Sequence, residues 1–267
     1  MKKLKEISLL AVFALVLAFA AETTQARAQE QREAQPPIPS TEEVMQHLDR
    51  LYRADSSRGR VTMDITTDRW SRTLVLDTWS KGEDYALAVI RSPARERGTA
   101  TLRNPQGLWN YAPRADRLMR IPAGMMSDSW MGSHFTNDDV MQETSWEDDY
   151  DTELSWVRQN DRRILRAVST PKPGTPVVWT RIVTTMRAQD WVPLRTDYYD
   201  GDTRVRTMRY SNVETIDGRP VPTRLELIPH DQPGERTVMT YEDLEFDVAI
   251  SDALFTPRGL RREAQRR

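Results

Sequence analysis

Cysteine is missing from all 267 positions of the chain. Its absence excludes disulfides, thiolate nucleophiles, thiolate metal sites and a lipid-modified cysteine. Histidine is nearly as scarce, with His47, His134 and His230 falling in different predicted elements. Ser133-His134 followed by Asp138 does not make a hydrolase. No G-x-S-x-G elbow is present, and adjacent side chains do not normally face each other as nucleophile and base. Glu43 and His47 stand four apart, a spacing that metal ligands use, but no H-E-x-x-H pair or third ligand accompanies them, so a solvated helix face is the simpler reading. The acidic stretch Glu147-Asp148-Asp149-Tyr150-Asp151 lacks the glycine and closing glutamate of a calcium loop and reads as a solvated loop. No Walker or dinucleotide glycine pattern occurs. Positive charge is not in excess either, with 38 Lys and Arg against 40 Asp and Glu, so no basic face invites nucleic acid. The sequence thus offers no catalytic residue, metal site or cofactor site, and the reading turns to binding.

The chain is polar, with a mean hydropathy of -0.67, except at its start. Lys2, Lys3 and Lys5 precede the apolar run Ile7 to Ala20. That order, and a run shorter than the ~20 residues of a membrane span, predict a secretory signal peptide over residues 1–28. Ala26-Arg27-Ala28 fits the cleavage site, with a site after Ala20 as its rival. The mature protein is expected to be soluble in an extracytoplasmic space such as a bacterial periplasm. Residues 29–39 are polar and proline-rich, the composition of a flexible tether.

A helix follows. Ser40 and Glu43 have capping-box spacing, and Val44, Leu48, Leu51 and Tyr52 recur at helical intervals. From Arg60 onward the pattern shortens to ten β-like runs, from Val61–Ile65 to Val238–Phe246, with partial two-residue alternation. Lys81-Gly82, Asp200-Gly201, Asp217-Gly218 and Pro233-Gly234 are among the turns between them. Regular strand and hairpin spacing predicts an antiparallel sheet in up-and-down order. So many strands curl, split or close, which points to a strongly curved or incompletely closed barrel, with a sandwich as the alternative.

One interruption breaks this rhythm. RIPAGMMSDSWMGSHFTNDDV, from Arg120 to Val140, holds three methionines and a tryptophan between Met125 and Met131. It lacks alternation and carries a helix start at Thr136, with Asp138 and Asp139 in the first turn. The expected element is one or two short helices lying across the barrel mouth. A methionine cluster repacks easily around ligands of different shape. Met125, Met126, Trp130 and Met131 therefore serve either as a lid over a cavity or as an ordinary plug in a β core. The many tryptophans can line such a cavity too.

Several stretches resemble one family. Ser129 to Asp139 (SWMGSHFTNDD) is similar to the segment W-x-G-S-x-F-[ST]-x-[DE]-D of outer-membrane lipoprotein-sorting proteins. These form the LolA-like superfamily, which also includes LppX/LprG-type lipid carriers and the RseB-type sensor domain. Leu108-Trp109-Asn110-Tyr111-Ala112-Pro113 with Ile121-Pro122 resembles the preceding hairpin. Trp191-Val192-Pro193, Tyr198-Tyr199-Asp200 and Ile216 to Pro222 resemble later ones, and Ile250 to Phe255 the closing segment. The resemblance implies an unclosed antiparallel β half-barrel with a helical lid over residues 40–260, leaving 261–267 as a basic tail. It also implies a periplasmic carrier of lipid or lipoprotein acyl chains, with an inner-membrane lipid exporter or an outer-membrane acceptor as partner. An RseB-like sensor is the alternative; a second interaction domain would accompany it, and no composition break marks one. The ligand-binding residues expected on this reading are Trp109, Tyr111, Met125, Met126, Trp130, Met131 and Phe135. An early-strand arginine is expected to hydrogen-bond the lid, with Arg58, Arg60, Arg69 and Arg72 as candidates.

Overall fold

The computed structural model describes residues 36–141, 146–175 and 178–266. The expected signal peptide and residues 29–35 of the tether lie outside them. Among the described residues every helix and strand belongs to the unit that begins at Pro39. That unit opens with helix α1, Thr41–Arg50, capped by the Ser40 hydroxyl, which accepts the Glu43 N–H at 3.5 Å.

The strands are β1 Ser56–Thr66, β2 Ser71–Lys81, β3 Tyr85–Ser92, β4 Ala100–Asn104, β5 Gly107–Ala112 and β6 Arg117–Ile121, followed by β7 Tyr150–Gln159, β8 Arg162–Pro171, β9 Arg181–Arg187, β10 Pro193–Asp200, β11 Thr203–Ile216, β12 Arg219–Pro229 and β13 Arg236–Phe246. They form one sheet of 13 strands in the order β6-β5-β4-β3-β2-β1-β13-β12-β11-β10-β9-β8-β7. Every pairing is antiparallel and joins sequence neighbours, except where β13 returns to β1. A register shift between Arg60 and Val61 bends that junction. The sheet is unclosed, with β6 and β7 as its two edges. The connection between those edges is residues 122–149, which hold the methionine stretch. Helices α2 (Asn137–Met141) and α3 (Trp146–Asp149) lie within it.

Register fixes which residues share a face. Met63, Leu74, Leu76, Ala88 and Ile90 of one half join Ile182, Tyr198, Met208 and Leu225 of the other in a single buried cluster on the concave face. Helix α1 covers the β7–β9 side, setting Val44 and Met45 on Leu165, Ala167 and Met186. On the convex face Leu87, Val89, Ala100, Leu102 and Tyr111 are covered by Phe255 and by Leu260 and Ala264 of helix α4, Pro257–Ala264.

The structure extends the expected pattern in two places. Strands β4, β6 and β7 are additional to the ten predicted runs. Strand β6 is mostly exposed and β7 only half-buried, as edge strands are, so hydrophobic alternation marks them weakly. The second difference is at the C-terminus, where residues 261–264 complete α4 instead of starting a basic tail. Arg91 fastens this end, donating to the Glu263 carboxylate at 2.6 Å and its backbone carbonyl at 2.9 Å. Gly98 permits the approach: its φ is +83°, and a Cβ there would stand 2.8 Å from the Ala264 carbonyl oxygen.

Candidate functional site

Between α1, the 122–149 crossing and the concave face lies a cavity of about 230 Å³. Leu48, Leu51 and Tyr52 line it from α1 and the turn after it. Phe135, Asp138 and Asp139 line it from the crossing, and Ala86, Ala88, Ile182, Met208, Leu225 and Met239 from the strands. Tyrosines supply much of the wall, namely Tyr52, Tyr150, Tyr198, Tyr210 and Tyr241. Burial raises the pKa of Tyr241 to about 12 and pushes Tyr52 and Tyr198 well above the ordinary tyrosine value. These hydroxyls stay neutral, so the wall is apolar with a few polar handles. Tyr52 donates to the Pro222 carbonyl at 2.9 Å and stacks on Tyr241 at 5.1 Å between ring centres.

The crossing is fastened to four strands, in the order in which it meets them. Trp130 is buried on the concave face and donates its indole N–H to the Thr101 hydroxyl of β4 at 3.0 Å; Thr101 in turn donates to Asn110 at 2.7 Å. Arg72 of β2 donates to the Met131 carbonyl and pairs with Glu96 at 3.1 Å. Gly132, with φ +67°, keeps that guanidinium close, since a Cβ there would lie 3.2 Å from Nη2. His134 sits on β13: its backbone N–H donates to the Thr237 hydroxyl at 3.1 Å, and Nδ1 meets the same hydroxyl at 2.8 Å. Its Nε2 lies 2.9 Å from Glu235, so the Nε2–H tautomer satisfies every contact. Arg206 of β11 completes the series with two 2.6 Å bonds to the Asp139 carboxylate.

Local sequence explains why the segment can present these groups. Thr136 and Asp139 cap α2 reciprocally: the Thr136 hydroxyl accepts the Asp139 N–H at 3.1 Å, while the Asp139 carboxylate accepts the Thr136 N–H at 2.7 Å. The Ser133 hydroxyl is engaged inside the segment, donating to the Trp130 carbonyl at 2.7 Å. It makes no pair with His134. Among the described residues no cluster of three or more His, Cys, Asp or Glu could hold a metal ion.

The expected ligand-binding residues separate into three groups. Phe135 lines the cavity. Trp130 belongs to the same buried cluster, with Met126 and Met131 packed half-buried against it, while Met125 is 45% exposed. Trp109 and Tyr111 lie on the convex side, in the cluster beneath α4. Of the four candidate arginines, Arg72 reaches the crossing, whereas Arg58 and Arg60 pair with Glu245 and Asp77 on exposed strand surface. Arg69 lies beside Asp68 at 3.7 Å, also exposed. Arg206 went unread in the sequence. Its signal was parity: in Val205 to Tyr210 it shares the inward face with Met208 and Tyr210, where an arginine needs a partner.

An unclosed antiparallel sheet with a helix and a fastened crossing on its concave face is the LolA-like fold. A LolA superfamily protein from Nitrosomonas europaea matches it with a TM-score of 0.70 at 22% identity, covering 82% of this chain and 98% of that one. A domain assigned to the outer-membrane lipoprotein-sorting proteins, from Vibrio parahaemolyticus, matches with a TM-score of 0.69 at 19% identity, over 81% and 97% of the two chains. A DUF1329 family protein from Desulfovibrio piger matches with a TM-score of 0.75 at 28% identity, over 85% of this chain and all of that one. A family model described as "Uncharacterized protein" matches residues 82–262, and the chain belongs to that family. No curated protein matches it.

Proposed function

We propose that the protein is a periplasmic carrier that shelters acyl chains of lipids or lipoproteins beneath a movable lid, residues 122–141. The observation that carries this reading is the cavity itself. Most of its wall is aliphatic or neutral aromatic, and it is roofed by a segment attached to the sheet at four separate points. Each methylene that enters is worth about 0.8 kcal/mol. A chain therefore gains affinity with length and needs no covalent chemistry. Phe135 meets the ligand directly. Met126 and Met131, half-buried behind Trp130, supply the soft surface over which the lid repacks when it moves. Export by the expected signal peptide places the carrier between two membranes. Release then falls to a membrane partner, an exporter on one side or an acceptor on the other, that competes for the chain or pulls the lid from its strands.

The test is native mass spectrometry of protein purified from its own envelope, followed by displacement of a fluorescent fatty acid. A bound mass that leaves as a lipid on denaturation, and displacement that strengthens with chain length, are expected. Ligand-free protein that binds no acyl chain would end the carrier reading.

A further inference from the structure

The cavity has two polar ends, and they differ in charge. At the lid end stand Asp138 and Asp139, the latter already joined to Arg206. At the other end, beyond the last turn of α1, Arg53 lines the wall beside Glu83, which lies in the turn between β2 and β3. These ends are opposite in the sheet. Arg206 pairs with Pro229 at the finish of β12, whereas Ser80, close to the β2–β3 turn, pairs with Ser57 at the start of β1.

Arg53 is unlike the other enclosed arginines. Arg72 and Arg206 each bury an Nε that has no acceptor, but both give their Nη atoms to a carboxylate, Glu96 and Asp139 respectively. Arg53 also buries an Nε without an acceptor. Among the described residues its one side-chain hydrogen bond is a 3.4 Å contact from Nη1 to the Glu83 backbone carbonyl, and no carboxylate forms an ion pair with it. Burial chiefly, with Arg103 nearby, lowers its pKa from the ordinary arginine value; Asp49 and Glu83 offset this in part. A guanidinium in a cavity wall whose buried Nε has no acceptor is costly unless something that enters the cavity supplies one.

We infer that Arg53 receives the anionic head of an amphiphile, a carboxylate or phosphate oxygen, whose chain runs along the cavity toward Phe135. The inference rests on the carrier reading and adds a head-group preference and a direction to it. Asp138 and Asp139 disfavour negative charge at the lid end, so the head has one favourable seat. The chain lies between, against Leu48, Leu51, Met208 and Leu225.

The experiment compares one chain length with three heads. Dodecanoate, dodecyl phosphate and dodecanol displace a fluorescent fatty acid from the full mature protein, from Arg53→Met and from Arg53→Lys. Wild type is expected to bind at least one of the two anions about tenfold or more tighter than the alcohol, the scale of a charge-assisted hydrogen bond. The stronger of the two identifies the head as carboxylate or phosphate. Arg53→Met should remove that advantage and leave dodecanol unchanged, while Arg53→Lys should restore part of it. Equal affinity for acid, phosphate and alcohol in the wild type would overturn the head-group assignment while leaving the carrier intact. So would an Arg53→Met loss that is the same for all three. If none of the three binds, the carrier reading falls and the assignment falls with it. Thermal unfolding of each ligand-free variant shows that the fold is retained.

Discussion

Replacing Asp139 by Asn removes one charge from the lid and almost no volume. In the native protein this carboxylate takes two 2.6 Å bonds from Arg206 and one of 2.7 Å from the Thr136 N–H. The pair is enclosed, with side chains 5% and 11% exposed. The guanidinium also lies against the rings of Trp179 and Tyr198, 4.1 and 4.2 Å from their centres. Breaking such a pair leaves a desolvated cation without its counter-charge, which costs about 3–5 kcal/mol. That cost falls on the closed lid and not on the sheet. At about 1.4 kcal/mol per tenfold, the balance between closed and open lid shifts by roughly two to three and a half orders of magnitude. Hydrogen exchange reads this directly. The Trp130 N–H, bonded to the Phe135 carbonyl at 2.8 Å, and the Asn137 N–H, bonded to Asp128 at 3.0 Å, should lose about 100-fold or more of their protection. Amides of the β1–β2 and β11–β12 ladders should keep theirs. Removing both charges, with Asp139→Leu and Arg206→Met together, should recover much of the lid's protection, because an apolar pair leaves nothing uncompensated. Equal loss in lid and sheet would show that the segment is ordinary core. Unchanged lid amides would show that this ion pair does not hold it.

Phe135→Ala should cost acyl affinity about 1.5–3 kcal/mol by fluorescent displacement, the worth of one large apolar side chain in the cavity wall. Met125→Ala, at a side chain 45% exposed, should change both affinity and unfolding by less than about 0.5 kcal/mol. On the convex face Leu260→Ala should lower stability by about 2–5 kcal/mol in urea and change ligand affinity little, since Leu260 is fully buried against β3–β5 and does not itself line the cavity. Acid should weaken the fold in a defined order. Burial, then Arg204, holds the His230 pKa below the ordinary histidine value, and burial does the same at His47 against an opposing Asp190. Such groups contribute stability that is fully present above the unfolded pKa of about 6.5 and is lost as pH falls through the folded values. The melting temperature should therefore drop between about pH 7.5 and 5.5, with a smaller drop in His230→Gln; a drop of the same size in that variant would refute the assignment.

The parts of the fold visible in the sequence are those with one wet face and one dry one. Strands such as β1, with Val61, Met63 and Ile65 inward, and β13 advertise themselves by alternation. The hairpin turns are equally open to reading. Asp217 and Gly218 both adopt positive φ, as a two-residue turn of this kind requires. The edges were hidden, because β6 and β7 carry polar residues on both faces. The C-terminal helix was hidden for another reason: Arg261, Arg262 and Glu263 read as solvated charge until Arg91 is seen to reach across from β3. The site divides in the same way. Phe135 and the crossing were legible from composition. Trp109 and Tyr111 share a strand with the inward-facing Leu108 and Asn110, and one residue of register sends them to the opposite face.

The methionine stretch and its polar neighbours divide the work of holding the roof. Residues 122–141 leave the β6 edge and pass over β4, β2, β13 and β11, and the other edge begins at Tyr150. Four directional contacts set where the segment lies, because a hydrogen bond to Thr101 or an ion pair to Arg206 is satisfied in one position only. Met126 and Met131 add contact area without that demand, since an unbranched thioether packs nearly as well after a shift. A segment built entirely of branched aliphatics would close as a core does and resist displacement. One built entirely of polar contacts would exchange them for water at little cost. The combination gives a roof with a defined closed position and a forgiving underside, which is what the proposed carrier would need for chains of unequal length.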